Sequence, residues 1–266
     1  MSVDELRRGH TVRKPGWITR HRWLVSLSLF VLIWHVGVWL FRVPAYLLPS
    51  PEVTVRSIIS DASFLRAHVA ATTVATLIGF GIAIGVGLAI AVLMSGSKIA
   101  RDLIYPPLVL TQAIPLMAVA PIILIWFGLG VSSRVLIVAF VCFFPIAVSA
   151  DEGFRAVDPG LRELLNTFGA TRSDRYRHLY LPATLPRILA GMKIAATYSV
   201  LGAVVGEWLG GSRGIGVYMT RSLLSFRTDR LFGAVLIVML MSFGLFKVVE
   251  GLERVLTPWT KRRNNA

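Results

Sequence analysis

The sequence predicts an all-α membrane protein with about six transmembrane helices. Three observations predict it. Of 266 residues, 55% are hydrophobic and 16% charged, against roughly 45–50% apolar and about 25% charged in soluble domains. The apolar residues fall into runs long enough to cross a bilayer. Lys and Arg gather in alternate connections between those runs, the pattern of basic loops retained in the cytoplasm.

A basic N-terminus at 1–22 leads into WLVSLSLFVLIWHVGVWLF at 23–41, which carries no formal charge and is about 28 Å long as a helix. Arg20 and Arg22 precede it as they would a signal peptide. The run is long for a signal core, however, and no small-residue cleavage site follows. It reads as a retained first span, with Trp23 and Trp39 at the two interfaces. Residues 42–64, rich in Pro and mixed in polarity, read as an external loop with a short surface helix after Pro51. Further spans are expected at 68–94, 104–127, 132–150, 187–208 and 231–250, which makes 65–250 the core domain and 251–266 a basic C-terminus. In the second span Gly81 and Gly85 form a G-x-x-x-G, expected to admit a neighbouring helix closely. A dinucleotide fingerprint fails there, for no strand precedes it and no acid follows at the right distance.

Orientation follows from the basic residues. One set of connections holds Arg7, Arg8, Arg13, Lys14, Lys98 and Arg101, a dense group from Arg155 to Arg187, and Arg254, Lys261, Arg262 and Arg263. The opposite set is sparser, so both termini and the 151–186 connection are expected in the cytoplasm. The net charge of +14 raises nucleic-acid binding. That function wants the cations on one face of a folded module, and here they lie between apolar blocks. Cys142 is the only cysteine, which excludes an internal disulfide and a cysteine metal site. The five histidines are scattered and no H-E-x-x-H occurs.

The 151–186 connection carries the most local information. Asp158 and Pro159 are a helix cap and first turn, LRELLNTF puts Leu161, Leu164, Leu165 and Phe168 on one side, and Gly169 is a stop. A second helix should start at Thr171 or Ser173 and end before Pro182, with Tyr176, Leu179 and Tyr180 on one side and Arg172, Arg175 and His178 nearer the other. A merely solvated loop has no need of an ordered apolar ridge between glycine and proline stops.

Glu163, Gly169-Ala170 and Leu181-Pro182-Ala183, with Leu185, Pro186 and Ile188, resemble the cytoplasmic signature of binding-protein-dependent ABC importer permeases. This chain has Glu163-Leu164-Leu165 where that signature begins Glu-Ala-Ala. The resemblance spans roughly 45–256 and implies the type I ABC importer permease fold, with a coupling helix that docks on an ATP-hydrolysing subunit. It assigns docking to Glu163, Phe168, Gly169, Ala170, Arg172, Arg175, Tyr176, Leu181 and Pro182. LPSPEV at 48–53, AIPLMAVAPIILIWFGLG at 113–130 and GGSRGIG at 210–216 are similar to the nitrate, sulfonate and taurine group. ATYSVLGAVVGEWLGG at 196–211 and FRTDRLFGA at 226–234 resemble its thiamine-precursor pyrimidine and riboflavin branch. The resemblance implies a bacterial inner-membrane protein that pairs with a second copy of itself. It also implies a solute-binding protein outside and an ATPase subunit that holds ATP and Mg. No cofactor is expected on this chain, which lacks G-x-x-x-x-G-K-[ST].

Candidates for the substrate pathway are Thr111, Gln112, Tyr198, Ser199, Glu207 and Trp208. Glu207 is the one carboxylate near the end of an apolar span. Such residues face a cavity or a partner, so Glu207 is either a pathway residue or an interfacial partner of Arg213 or Arg221. The rival reading, a stand-alone secondary transporter, wants carboxylates at mid-span, and only Glu207 comes close.

Overall fold

A computed structural model describes residues 22–263. The N-terminus expected at 1–22 lies outside the described residues apart from the Arg22 backbone, as do residues 264–266 of the expected C-terminus and the side chains of Trp23, Arg172, Lys261, Arg262 and Arg263. The described residues are helical, with no strand among them. α1 spans Arg22–Leu40, α2 Pro51–Ser60, α3 Ala62–Gly96, α4 Lys98–Ala113, α5 Leu116–Phe127 and α6 Val131–Arg155. α7 spans Pro159–Thr167, α8 Arg172–Arg175, α9 Leu181–Gly210, α10 Ile215–Leu224, α11 Thr228–Leu256 and α12 Pro258–Arg263.

α3, α6, α11 and the continuous helix ending in α9 are each long and apolar enough to cross a membrane, and α4 with α5 makes a fifth span if taken together. The apolar part of α1, Leu24–Leu40, is shorter, about 25 Å. α1 sits at the periphery, where Trp34 Nε1 donates to the Pro49 carbonyl at 3.1 Å and His35 lies 3.6 Å from Glu52. The expected surface helix after Pro51 is α2, capped by Ser50, whose hydroxyl accepts from Val53 N.

The third expected span, 104–127, is not one helix. α4 and α5 meet at 101°. Ile114 is extended, with φ −81° and ψ 121°, because the ring of Pro115 disfavours the helical region for the residue before it. The second short helix of the 151–186 connection does not end before Pro182 either. It widens into a π segment at Tyr176–Tyr180, where Leu181 N reaches back to the Tyr176 carbonyl, and continues as α9. The wider turn makes room for a proline that lacks an N–H and would collide with the carbonyl four residues back.

α6 is the centre of the bundle, packed between α3 and α9. Val138, Cys142 and Ile146 of α6 meet Phe80 and Ala83 of α3 and Ala195, Ala196 and Ala203 of α9 in one buried cluster. The close approach of α3 to α6 runs through Gly79 and Gly87, not through Gly81 and Gly85. A Cβ on Gly79 would lie 2.6 Å from that of Val138, and one on Gly87 would lie 2.9 Å from the Phe143 carbonyl, whereas Gly81 and Gly85 face open space. Gly79, Ala83 and Gly87 recur every fourth residue and so share the inward face. On the other side Gly153 abuts Thr184 and Gly191 abuts Ser149.

Candidate functional site

Within the 151–186 connection, 151–155 and 181–186 belong to α6 and α9, and α7 between them has no buried residue, at the end where α3 and α6 finish and α9 begins. Asp158 caps α7 by accepting from Gly160 N at 2.8 Å. The helix closes in a paired turn: Gly169, at φ +74°, donates to the Asn166 carbonyl, and Ala170 donates to that of Leu165. Glycine adopts this left-handed geometry without the steric penalty of a Cβ. The next helix opens on a reciprocal cap, in which Thr171 N donates to the Asp174 carboxylate at 3.0 Å and Asp174 N donates to the Thr171 hydroxyl at 3.2 Å. Arg175 hydrogen-bonds the Asn166 side chain across the corner, tying α7 to α8.

The corner displays apolar side chains at its surface. Leu161, Leu164, Tyr176 and Leu181 are about half exposed, and Phe168 is 78% exposed. α7 has no buried residue of its own, and it lacks extensive packing against any other helix. Glu163 is exposed beside this ridge, Pro182 is half-buried, and Tyr176 stacks on Tyr180 with ring centres 5.2 Å apart. Among the docking candidates with described side chains, Glu163, Phe168, Gly169, Ala170, Arg175, Tyr176, Leu181 and Pro182 lie along the α7–α8 corner and the start of α9. A rigid, capped corner that displays its ridge is suited to insertion into a partner's groove.

The pathway candidates do not share a surface. Thr111 bonds the carbonyl of Leu108 in its own helix at 2.6 Å, and Gln112 is exposed just before the bend at Ile114. Tyr198 and Trp208 are exposed on α9, whereas Ser199 and Glu207 are buried in the bundle.

Glu207 is 1% exposed and lies in a closed polar knot at the far end from α7. Its carboxylate accepts from the Thr72 hydroxyl and from Gly216 N, each at 2.8 Å, with Arg134 at 4.0 Å. Neither Arg213 nor Arg221 is its cation. Arg134 instead donates to the carbonyls of Gly130 and Arg213. His68 Nδ1 bonds the Gly214 backbone, and Ile215 N donates to the Thr72 hydroxyl at 2.8 Å. Three spans thereby grip the GGSRGIG turn, and a Cβ on Gly214 (φ +135°) would overlap the carboxylate. Sequence reasoning missed Arg134, Thr72 and His68 here. The available signal was Arg134 itself, a cation in the first turn of the apolar run VSSRVLIVAF. Beside the knot, Tyr218 donates to Asp61 at 2.8 Å, and Arg230 pairs with the same carboxylate. Burial, then the Asp61 hydrogen bond, pushes the Tyr218 phenol above its ordinary range.

The family model described as the inner membrane component of binding-protein-dependent transport systems matches residues 81–262. The chain is similar to the formylaminopyrimidine transport permease protein ThiX of Halalkalibacterium halodurans, 34% identical over 236 residues, 88% of this chain and 94% of that one. It is 32% identical to the riboflavin transport system permease protein RibX of Chloroflexus aurantiacus over 88% of each chain. It is 27% identical to the taurine transport system permease protein TauC of Escherichia coli, again over 88% of each. A solved amino acid ABC transporter shares the fold, with a TM-score of 0.62 at 19% identity over 74% of this chain and 96% of that one.

Proposed function

The chain belongs to the family of binding-protein-dependent transport system inner membrane components and is an ABC importer permease, and from that premise we propose how it is driven and what it carries. The 151–186 connection is the docking element for a separate ATPase subunit, which binds ATP and Mg. Glu163, Phe168, Gly169, Ala170, Arg172, Arg175, Tyr176, Leu181 and Pro182 make the contact. The observation that carries this reading is the exposed apolar ridge on the capped corner, which nothing in the chain covers among the described residues. The connection and both termini face the cytoplasm, in keeping with the basic residues they carry. Two copies of the chain enclose the pathway, and a solute-binding protein delivers cargo to the opposite face.

The cargo is a thiamine-precursor pyrimidine, hydroxymethylpyrimidine or its formylamino precursor. The 34% identity to ThiX supports this choice. Riboflavin is the second choice, supported by the 32% identity to RibX. Energised vesicles that contain the permease with its ATPase and binding protein provide the test. Uptake of labelled formylaminopyrimidine that requires ATP and is competed by the unlabelled compound but not by riboflavin or taurine is the expected result. Uptake of riboflavin or taurine alone overturns the cargo, and uptake of any of them without ATP overturns the docking role.

A further inference from the structure

At the end of the bundle that carries α7, a concave cleft of about 750 Å³ opens between the last turn of α3, the first turn of α4, the last turn of α6 and the start of the α7–α8 corner. Lys98, Arg101, Arg155, Arg162 and Arg175 line it, with only Asp102 and Asp151 against them. Asp151 is 1% exposed and is sealed beneath Arg101, whose Nε donates to it at 3.0 Å. That pair is therefore spent within the wall. Arg101 also lies over the Tyr105 ring, 4.7 Å from its centre. Among the described residues, no carboxylate lies within ion-pair distance of Lys98, Arg155 or Arg162. The N-terminus of α4, capped by Ser97, opens into the same space and adds its partial positive charge. Tyr176 and Tyr180 close the side nearest the corner.

Lys98, Arg155 and Arg162 line one concave site with no carboxylate in ion-pair contact, and like charges gathered there repel one another. An anion with several acceptor oxygens relieves that repulsion and takes charge-assisted hydrogen bonds from the guanidinium groups. The cleft lies where the long apolar helices α3 and α6 end. Its volume falls in the range of small-ligand sites, roughly 300–1,000 Å³.

We propose that this cleft binds a phosphate group, held by Lys98, Arg155 and Arg162 and carried by either a phospholipid headgroup or a free phosphate ester. Because Arg162 belongs to α7 and Arg175 and Tyr176 to the corner, occupancy would tie the docking element to the ends of α3 and α6.

Two probes separate the sources. The full chain is extracted in mild detergent from vesicles of four parts phosphatidylcholine to one part phosphatidylglycerol, and retained lipid is read by native mass spectrometry. Glycerol 1-phosphate is titrated separately against the lipid-free chain. Lys98→Gln with Arg155→Gln is compared with Arg56→Gln with Arg66→Gln, an exposed pair near the other end. Retention of phosphatidylglycerol that falls at least tenfold only in the first pair supports the lipid source. Saturable glycerol 1-phosphate binding, weakened at least tenfold only in the first pair, supports the free ester. If both probes bind equally to the two double variants, or neither probe binds the unaltered chain, the proposal is wrong.

Discussion

Single residues at the two ends of the bundle do different work. Glu207 holds the GGSRGIG turn, and its loss leaves Arg134 buried without its nearest carboxylate and Gly216 N–H without an acceptor. Removing one partner of such a buried group costs about 3–5 kcal/mol. Glu207→Ala should therefore unfold at markedly lower temperature in a detergent melt. Glu207→Gln, whose single carbonyl oxygen can still accept from Gly216 N while its amide N–H donates to the Thr72 hydroxyl, should lose less. Equal melting of both variants with the parent would mean that the knot contributes nothing. Gly169 works at the other end. Its φ of +74° costs an alanine roughly 1–2 kcal/mol, while asparagine tolerates the left-handed region. Gly169→Ala should lower uptake several-fold with normal insertion, and Gly169→Asn should largely retain it. The corner was legible because Asp158, Gly169 and Thr171 act through their immediate neighbours. The knot was not, because Glu207, Arg134 and Thr72 come from three distant segments and only folding brings them together.

At the scale of elements, the spans were legible from apolar length, and their interruptions were not. Ile114-Pro115 follows only a brief polar dip, Thr111-Gln112, within an otherwise apolar run, too short a break in polarity to mark a bend. Pro182 is a true stop signal, yet here a π turn absorbs it and the chain goes on as α9. The glycines of α3 show the same limit. The G-x-x-x-G spacing points to Gly81 with Gly85, and only the position of α6 shows that Gly79 and Gly87 pack inward instead. Gly87→Leu should thus force α3 from α6, where overpacking costs about 1–3 kcal/mol, and lower the melting temperature. A Cβ at Gly81 meets no atom within 4 Å, so Gly81→Leu should change the melting temperature far less. A melt in which Gly81→Leu is the worse variant would contradict this assignment of the inward face.

Across the whole molecule, the polar knot at one end and the docking ridge at the other are joined by α6 and α9, the most extensively packed pair of helices in the bundle. Movement imposed on the corner therefore passes into α9 without a loop to absorb it, since α8, the π segment and α9 are one continuous helix. With the proposed docking, that continuity is the route by which movement of a partner ATPase would reach the spans. The most direct test places a photo-crosslinking amino acid at Phe168 in native membranes and identifies the trapped chain by mass spectrometry. A subunit that carries an ATP-binding G-x-x-x-x-G-K-[ST] motif, trapped from Phe168 but not from Phe226 at the opposite end, is the predicted result. Crosslinks from Phe168 to lipid alone, in membranes where uptake still runs, would contradict the docking account.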